Sequence, residues 1–380
     1  MSMSVLPFAQ VAVPQSDKGK RLKQRDYLQE GPLAVIDQGQ QQIGGYTDDQ
    51  TMAFEGELPV VLFGDHTRSV KLVNYPFAVG ADGIKIFRPA EGVRTKYLYY
   101  WMKSAPIPDR GYGRHYQFLR QLSVPLPPEE TQDEIVAELE KQFSRLDEAV
   151  ANLQRVKANL KRYKASVLKA AVEGRLVETA GGWRQSTLGE EGAIIGGLTK
   201  NQKRNDLPLK LPYLRVANVY ANELRLDDIE YIGVAERELE KLLVRKGDLL
   251  VVEGNGSPDQ IGRVALWNDA IPNCVHQNHL IKARFGKPVL PEWALIWMLS
   301  PVGRHEIEQV SASTSGLHTL SVGKVSRLPI GVPSLKEQAS IVAEVDRHLS
   351  IIREVEAEVD ANLKRAQALR QATLAKAFAL

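Results

Sequence analysis

The sequence predicts an α+β protein in which one unit, a globule followed by a long helix, is written twice. Residues 101–104 (WMKS) recur at 297–300 (WMLS), and residues 132–138 (QDEIVAE) recur at 338–344 (QASIVAE). Tandem copies tend to fold with a pseudo-two-fold axis. We therefore predict two α/β globules separated by two long antiparallel coiled-coil helices, as a tandem duplication with pseudo-two-fold symmetry. The separation of matched segments grows from 180 to 206 residues, which predicts loop insertions in the second copy.

Composition agrees with a globular protein of several domains. The chain has 380 residues, of which 43% are hydrophobic and 25% charged, and this length favours two to three domains. The single cysteine, Cys274, excludes an internal disulfide and a cysteine-based zinc site. We expect no secretion signal, because residues 1–14 lack its basic-then-apolar order, and no membrane span, so the expected location is the cytoplasm.

Two kinds of amino-acid composition alternate along the chain, and the changes between them predict the domain boundaries. The globules, at 1–127 and 177–333, contain short β-branched runs broken by Gly, Pro, Asn and Asp, which predict strands and turns. Short helices are predicted at 95–103 and 292–299. The intervening segments, at 128–176 and 334–380, are rich in Ala, Leu, Glu, Lys and Arg, and they contain the long helices.

The long helices have coiled-coil patterns. In the first, apolar residues recur every seven positions at Leu139, Leu146, Leu153, Leu160 and Val167. A looser seam, beginning at Val342 and Val345, runs along the second. Ser334 and Glu337 have the spacing of a capping box at the start of the second helix, and Gly174 is placed to end the first.

The charges favour antiparallel packing of the two helices. Each helix is acidic near its start and basic near its end, so an antiparallel pair places each acidic stretch beside a basic one. The alternative is that each gradient only complements the dipole of its own helix. A rod of two helices about 60 Å long, with a globule toward each end, implies a polymer ligand.

DNA is the leading candidate for that polymer. The first globule has a basic cluster at 18–25, and Lys20-x-x-Lys23 matches Lys200-x-x-Lys203 in the second. Such clusters contact phosphates, whereas amide, guanidinium, hydroxyl and imidazole groups read base edges. Ordinary solvated lysines, turn hydrogen bonds or satisfied histidines are the alternatives. The predicted DNA contacts are Lys18, Lys20, Arg21, Lys23, His66, Thr67, Arg68, Lys71, Tyr112, His115, Lys200, Lys203, Arg204, Arg215, Asn218, Asn255, Ser257, His276, Gln277, Asn278, Ser313, Thr314, Ser315 and His318.

The whole chain resembles the specificity subunit of type I restriction-modification systems (the HsdS family). The resemblance rests on the order of globule and helix, on the segment from Leu122 through Gln132 to Ile135, on Leu168–Leu176, and on Pro333–Gln338 and Leu374–Phe378. It implies that each globule is a target-recognition domain for one half of a split, asymmetric sequence in double-stranded DNA. It also implies that the helices space the domains and dock two modification (methyltransferase) subunits, which bind S-adenosylmethionine themselves, and that a restriction subunit can join.

The residues themselves contain no adenine-methyltransferase motif, no phosphate-binding lysine loop and no metal cluster, so we expect a non-catalytic chain without a cofactor or metal of its own. An alternative is a coiled-coil scaffold that organises protein partners without sequence-specific DNA binding. A third reading makes the chain itself a methyltransferase or nuclease. Footprinting and S-adenosylmethionine binding discriminate among the three.

Overall fold

The computed structural model describes residues 3–81, 83–111, 113–254, 260–312 and 319–379. Its first part is an α+β copy that ends in a long helix. The elements of this copy are β1 (Ser4–Pro7), α1 (Phe8–Val11), β2 (Ala12–Gln15), β3 (Leu33–Ile36), β4 (Gly45–Thr47), β5 (Val60–Gly64), β6 (Val70–Val73), β7 (Phe77–Val79), β8 (Ile84–Pro89), α2 (Thr95–Ser104), α3 (Tyr116–Leu119), β9 (Ser123–Leu126) and α4 (Glu129–Val172).

The second part repeats these elements and adds others. Its elements are β10 (Arg184–Thr187), α5 (Leu188–Glu191), β11 (Gly192–Gly196), β12 (Lys210–Leu214), β13 (Val219–Tyr220), β14 (Glu223–Leu224), β15 (Glu230–Gly233), α6 (Leu239–Leu242), β16 (Leu249–Val252), β17 (Val264–Leu266), β18 (Val275–His276), β19 (Leu280–Phe285), α7 (Pro291–Leu299), α8 (Pro301–Ser311), α9 (Val322–Ser326), β20 (Pro329–Val332) and α10 (Leu335–Ala377). Both long helices and both short helices lie where the sequence predicts them.

The two copies have the same sheet topology, which confirms the predicted fold class and duplication. A four-stranded antiparallel sheet has the order β2-β8-β5-β6 in the first copy and β11-β19-β16-β17 in the second. A three-stranded sheet has the order β4-β3-β7 in one and β15-β12-β18 in the other, with one parallel pair in each. A two-stranded pair, β1-β9 or β10-β20, joins the start of each copy to the segment before its long helix.

The predicted insertions lie in the second copy. The hairpin β13-β14, the helical turn α6 and the helix α8 have no counterpart among the described residues of the first copy. The hairpin packs against β16 and β17. These additions account for the growing separation between matched segments.

Each four-stranded sheet is covered on both faces, which explains its continuous apolar runs. In the first copy, Val61 and Phe63 of β5 face the core beneath α1 and α2, whereas Val60 and Leu62 face the three-stranded sheet. Strand β16 (LLVV) is divided in the same way between two cores. A central strand buried on both faces needs apolar residues at every position. The repeated Trp-Met pair lies on α2 and α7, where all four side chains are buried.

Compact packing divides the chain into two units, and each long helix contributes to both. Unit 1 contains residues 1–154 and 360–380, and unit 2 contains residues 155–359. In unit 1 the start of α4 packs against the end of α10, through Val136, Leu139 and Phe143 with Leu374 and Phe378. The two helices therefore run antiparallel, as the charge gradients predict.

The same orientation is found in unit 2. There, Val167 and Ala171 near the end of α4 pack with Ile341 and Val345 near the start of α10. The Tyr163 hydroxyl also lies 2.8 Å from His348 Nδ1. In unit 1, Arg370 pairs with Asp147 and lies over the ring of Phe143, so a basic residue from one helix end meets an acidic residue from the other helix start.

A buried glutamine joins each globule to its long helix in the same way. Gln132 Nε2 donates to the carbonyl oxygens of Gly92 and Pro127, each at 2.9 Å, and its Oε1 accepts from the Arg94 N–H at 2.8 Å. Gln338 makes the equivalent three bonds with Pro288, Pro333 and Leu290. Both side chains are fully buried. The repeated glutamine therefore fixes the short helix, the last strand and the long helix together in both copies.

The helix ends follow the predicted signals. The N–H of Glu337 donates to Ser334 Oγ at 3.3 Å, and Glu337 Oε2 accepts from the Ser334 N–H at 2.9 Å, which completes a capping box. Gly174 has a φ of +69° just after α4, a conformation that glycine adopts without strain.

Candidate nucleic-acid interface

Three loops of the first copy meet at one end of its sheets. They follow β3, β5 and β7, and hydrogen bonds of main-chain and side-chain groups join them. The N–H of His66 donates to Gln38 Oε1 at 3.1 Å, and the hydroxyl of Thr67 donates to the Gln38 carbonyl at 2.5 Å. The N–H of Asp65 donates to the carbonyl of Gly83 at 2.7 Å. We call this set, residues 37–44, 64–69, 80–81 and 83, the first loop cluster; it contains His66, Thr67 and Arg68, which the sequence predicts as DNA contacts.

A buried ion pair lies within this cluster. Lys71 Nζ is 3.5 Å from Asp37 Oδ1, and the Lys71 side chain is 4% exposed. Burial lowers the pKa of Lys71, and the nearby Asp37 carboxylate partly opposes that effect. Asp37 Oδ1 also accepts from the Gly39 N–H at 2.9 Å. Lys71 was predicted to contact DNA; the structure places it inside the fold, where it fixes the end of β3.

Arg68 occupies a strained position in the turn between β5 and β6. Its φ is +58°, which is uncommon for a residue with a side chain, and such residues cluster at functional sites. Its guanidinium donates to Asp109 Oδ2 at 2.5 Å and to the Ile107 carbonyl at 3.3 Å. The Arg68 side chain is 36% exposed, so it remains accessible from solvent.

His115 packs beneath the first loop cluster and hydrogen-bonds to it. It is fully buried, and its Nδ1 donates to the carbonyl of Asp65 at 2.9 Å. The N–H of Tyr116 donates to Asp65 Oδ1 at 2.8 Å. His115 was predicted to contact DNA, but its ring has no exposed surface in this structure. It instead holds the start of the loop after β5.

The second copy has an equivalent loop cluster with different side chains. The N–H of Gln277 donates to the Leu214 carbonyl, as that of Gly80 does to Ile36, and the N–H of Glu253 donates to His279 as that of Asp65 does to Gly83. The residues of this second loop cluster, 215–218, 253–254 and 277–279, include the predicted Arg215, Asn218, Gln277 and Asn278.

Internal bonds already occupy several of these side chains. Arg215 pairs with Glu230 at 2.6 Å and with Asp228 at 2.7 Å. Asn218 is buried, and its Nδ2 donates to the carbonyls of Arg225 and Asp228. Gln277 and Asn278 are half-buried at the rim. Of the four predicted residues, the last two are the better placed for an external ligand.

His276 lies deep in unit 2. It is fully buried, and its Nδ1 donates to the Leu280 carbonyl at 3.0 Å. Burial, with the neighbouring Lys282 cation, lowers the pKa of His276 to about 4. Burial likewise lowers the pKa of Lys282 to about 8, and the Lys282 ammonium donates to the Lys241 and Leu243 carbonyls. His276 was predicted to contact DNA, but in this structure it is part of the core.

The basic clusters are largely paired within the fold. Lys18 and Lys20 both contact Glu55, and they lower its pKa to about 2 by hydrogen bonding. Arg21 pairs with Asp17 at 2.5 Å.

In the second copy, Lys200 pairs with Glu230 and Arg204 with Glu238. Lys23 and Lys203 are exposed. Most of these cations would have to exchange an acidic partner for a phosphate in order to bind DNA.

The predicted match between the two basic clusters is wrong by four residues. The N–H of Leu22 donates to the carbonyl of Val79, and that of Leu198 donates to His276, so Leu198 takes the place of Leu22. Lys200 therefore corresponds to Gln24 rather than to Lys20. The connection between β11 and β12 is shorter than that between β2 and β3, so a constant spacing does not hold across it.

The sequence interpretation missed the loop after β3. Gln40, Gln41 and Gln42 are exposed there. The signal was available, because a run of Gly and Gln between two β-branched segments predicts a polar turn. Seven predicted contacts lie outside the described residues: Tyr112, Asn255, Ser257, Ser313, Thr314, Ser315 and His318.

No group of three or more His, Cys, Asp or Glu side chains within the described residues is arranged to hold a metal ion. Within the same part of the chain, no helix is both long and apolar enough to cross a membrane.

Comparison with known proteins gives consistent results. No protein-family model matches the chain. It is 30% identical over 267 residues to the type I restriction enzyme EcoKI specificity subunit of Escherichia coli (strain K12), covering 68% of this chain and 57% of that protein. It is 26% identical over 311 residues to the StySPI specificity subunit of Salmonella potsdam, covering 77% and 66%. The chain thus spans less than two thirds of the length of either relative.

Solved structures match over almost the whole chain. One, from a study of complex assembly and conformational transition of the type I R-M system, has a TM-score of 0.74 at 17% identity and covers 99% of this chain and 97% of its own. The HsdS subunit from Thermoanaerobacter tengcongensis has a TM-score of 0.53 at 16% identity and covers 99% and 96%. These similarities establish a shared fold.

The fold and the loop clusters define a tandemly duplicated α+β protein whose two copies have the same sheet topology and differ in the side chains of their polar loops. Together with the sequence matches, they assign the chain to the HsdS family, the specificity subunits of type I restriction-modification systems.

Proposed function

We propose that the chain is the DNA-binding specificity subunit of a type I restriction-modification complex and that it reads a bipartite, asymmetric sequence in double-stranded DNA. The observation that carries this proposal is the pair of equivalent loop clusters, which follow corresponding strands but carry different polar side chains. Two domains with the same arrangement of strands but different polar side chains suit a DNA target whose two halves differ in sequence. The names of the relatives support the same function.

The division of labour follows the repeat. We propose residues 1–127 and 177–333 as the two target-recognition domains, and residues 128–176 and 334–380 as the spacer helices. For direct contact with bases, the proposal favours the accessible or rim residues His66, Thr67, Arg68, Gln277 and Asn278. The accessible cations Lys23 and Lys203 suit phosphates.

The spacer helices are proposed to dock modification subunits. A groove of about 550 Å³ lies between the start of α4 and the end of α10 in unit 1, and Ile135, Leu139, Leu369 and Ala377 line it. Leu369, which is 54% exposed, extends the apolar lining of this groove, and contiguous exposed apolar surface of this kind suits a protein partner. In this proposal two modification subunits bring S-adenosylmethionine and the chemistry, a restriction subunit can join them, and this chain is non-catalytic.

Footprinting on DNA selected by the full chain tests the function. We expect two short protected patches separated by a fixed unprotected gap, with an affinity that falls as salt rises. Exchange of residues 180–325 for those of a relative should change only one patch. Equal affinity for all sequences, or no binding, would favour the scaffold alternative. S-adenosylmethionine binding or DNA cleavage by the isolated chain would contradict the non-catalytic assignment.

A further inference from the structure

The loop after β3 in the first copy is fixed at both ends. The side chain and carbonyl of Gln38 accept from His66 and Thr67, and the carbonyl of Gly39 accepts from Ser69 Oγ at 3.1 Å. At the other end, the Gly44 N–H donates to the Val35 carbonyl at 2.9 Å. Two neighbouring elements therefore hold residues 38–39 and 44, and the loop between them has a defined path.

Close packing beneath the loop adds to this rigidity. A Cβ atom added at Gly44 would lie 2.6 Å from Asp37 Oδ2, and one added at Gly83 would lie 2.9 Å from Gln38 Oε1. The buried Lys71–Asp37 pair lies at the same place. Gly83 has a φ of +94°, a conformation that glycine adopts without strain, and both glycines let residues 37–44 lie close against the neighbouring loops.

The tip of this loop is polar, and only part of it is bonded to the described part of the fold. Gln42 Nε2 donates to the carbonyl of Leu72 at 3.0 Å. Gln40 and Gln41 are exposed, and their side-chain amides have no hydrogen-bond partner within the described residues. The two exposed amides therefore add nothing to the stability of the fold. The pre-organised geometry of the loop is what a recognition element needs.

We propose that Gln40 and Gln41 read an adenine in the half-site bound by the first copy. This inference rests on the proposed function. A glutamine amide offers one donor and one acceptor in a plane, and together they match N7 and the N6 amino group of adenine in the major groove. The rigid loop base lowers the conformational entropy lost on binding.

The second copy lacks this chemistry at the equivalent place. Ile36 and Leu214 occupy equivalent places, so Asn218 corresponds to Gln40, but Asn218 is buried and its Nδ2 already donates to the carbonyls of Arg225 and Asp228. Arg215, at the start of this loop, is likewise paired with Asp228 and Glu230. Adenine recognition by this loop is therefore specific to one half of the target. The two halves are read by different side chains even though the loops occupy corresponding positions.

Selection from randomised duplex DNA tests the assignment. The full chain, the double variant Gln40→Ala/Gln41→Ala and the control Gln121→Ala are each used to enrich sequences, and the enriched pools are sequenced. Gln121 is an exposed glutamine of the same unit, outside the loop cluster. We expect the double variant to lose an adenine preference of about 5- to 150-fold at one or two neighbouring positions of one half-site. The control should match the native chain.

Single Gln→Glu changes sharpen the test. A carboxylate accepts from the N4 amino group of cytosine, so Gln40→Glu or Gln41→Glu should move the preference at that position from adenine toward cytosine. An unaltered preference, or a uniform loss of affinity for all sequences, would overturn the assignment. So would a first half-site without adenine. If the native chain enriches no bipartite sequence at all, the proposed function fails instead.

Discussion

The buried glutamine of each copy provides a prediction whose size follows from the structure. Replacing Gln132 by alanine removes three hydrogen bonds and leaves the N–H of Arg94 and the carbonyls of Gly92 and Pro127 without their partner. Each buried group left without its hydrogen-bond partner costs about 1 kcal/mol or more, so the free energy of unfolding of unit 1 should fall by about 3 kcal/mol. Gln338→Ala should reduce that of unit 2 by a similar amount.

Glutamate at the same position separates hydrogen bonding from packing. Gln132→Glu keeps the shape of the side chain, but the carboxylate cannot donate to the two carbonyl oxygens and places a charge beside them. It should therefore cost at least as much as alanine at neutral pH. The assay is urea unfolding followed by hydrogen exchange of peptides from each unit, which gives two separate free energies. The exposed Gln154 on the same helix, changed to alanine, is the control.

A loss below about 0.5 kcal/mol in Gln132→Ala would refute the reasoning, because three buried partners would then have found other bonds at little cost. Equal destabilisation of both units by one substitution would also contradict it, since each glutamine bonds within its own unit.

Three further predictions concern the helix pair, the buried histidine and one glycine. Exchanging the charges of Asp147 and Arg370 together should restore most of the stability lost by either reversal alone, and a double-mutant cycle should give about 0.2–1 kcal/mol for this exposed pair. Since the pKa of His276 is about 4 in the fold and near 6.5 when unfolded, stability present above pH 6.5 is lost as pH falls toward 4. Unit 2 should lose about 2 kcal/mol from this group between pH 7.5 and 5, measured by urea unfolding, and His276→Gln should lack that part of the slope. Gly197→Ala should cost more than about 3 kcal/mol in thermal unfolding, because the added methyl group would overlap two main-chain carbonyls, whereas Gly286→Ala meets no atom and should change little.

Each of these has a contradicting outcome. A cycle energy of zero or of opposite sign would mean that the two helix charges do not interact. An unchanged pH slope in the histidine variant would place the acid sensitivity in other groups. Equal melting temperatures for the two glycine variants would show that the loop can move away from the added methyl group.

The long helices and the repeat were predictable because their signals are local or periodic. Residues 129–172 contain neither proline nor glycine, and the helix has those bounds. The capping pair Ser334 and Glu337 and the terminal Gly174 likewise act through neighbours in the chain. The charge gradients also predicted the antiparallel orientation correctly, but the acids at the start of α4 pair mainly with Arg94 and Lys96 of their own copy, and the contacts between the two helices are largely apolar.

The site was less predictable because partners distant in sequence decide which polar residues are free. His115 and His276 look like ligands in the sequence, but the fold uses each to hold a strand end. Arg215 is engaged by acids 13 and 15 residues away. Conversely, the run from Gly39 to Gln42 predicts a polar turn, but only the hydrogen bonds between the loops after β3 and β5 show that this turn is held beside His66 and Thr67.

The composition of unit 1 has a consequence for how the protein is made. Its last structural piece, residues 360–380, includes Phe378, which packs edge-on against Tyr97 with ring centroids 5.2 Å apart. At ribosomal rates of roughly 5–20 residues per second, that piece emerges tens of seconds or less after residue 154. Unit 1 is therefore completed only after residues 155–359 have been synthesised, and until then the apolar side of α4 near Val136 and Leu139 lacks the contacts that Leu374 and Phe378 make with it.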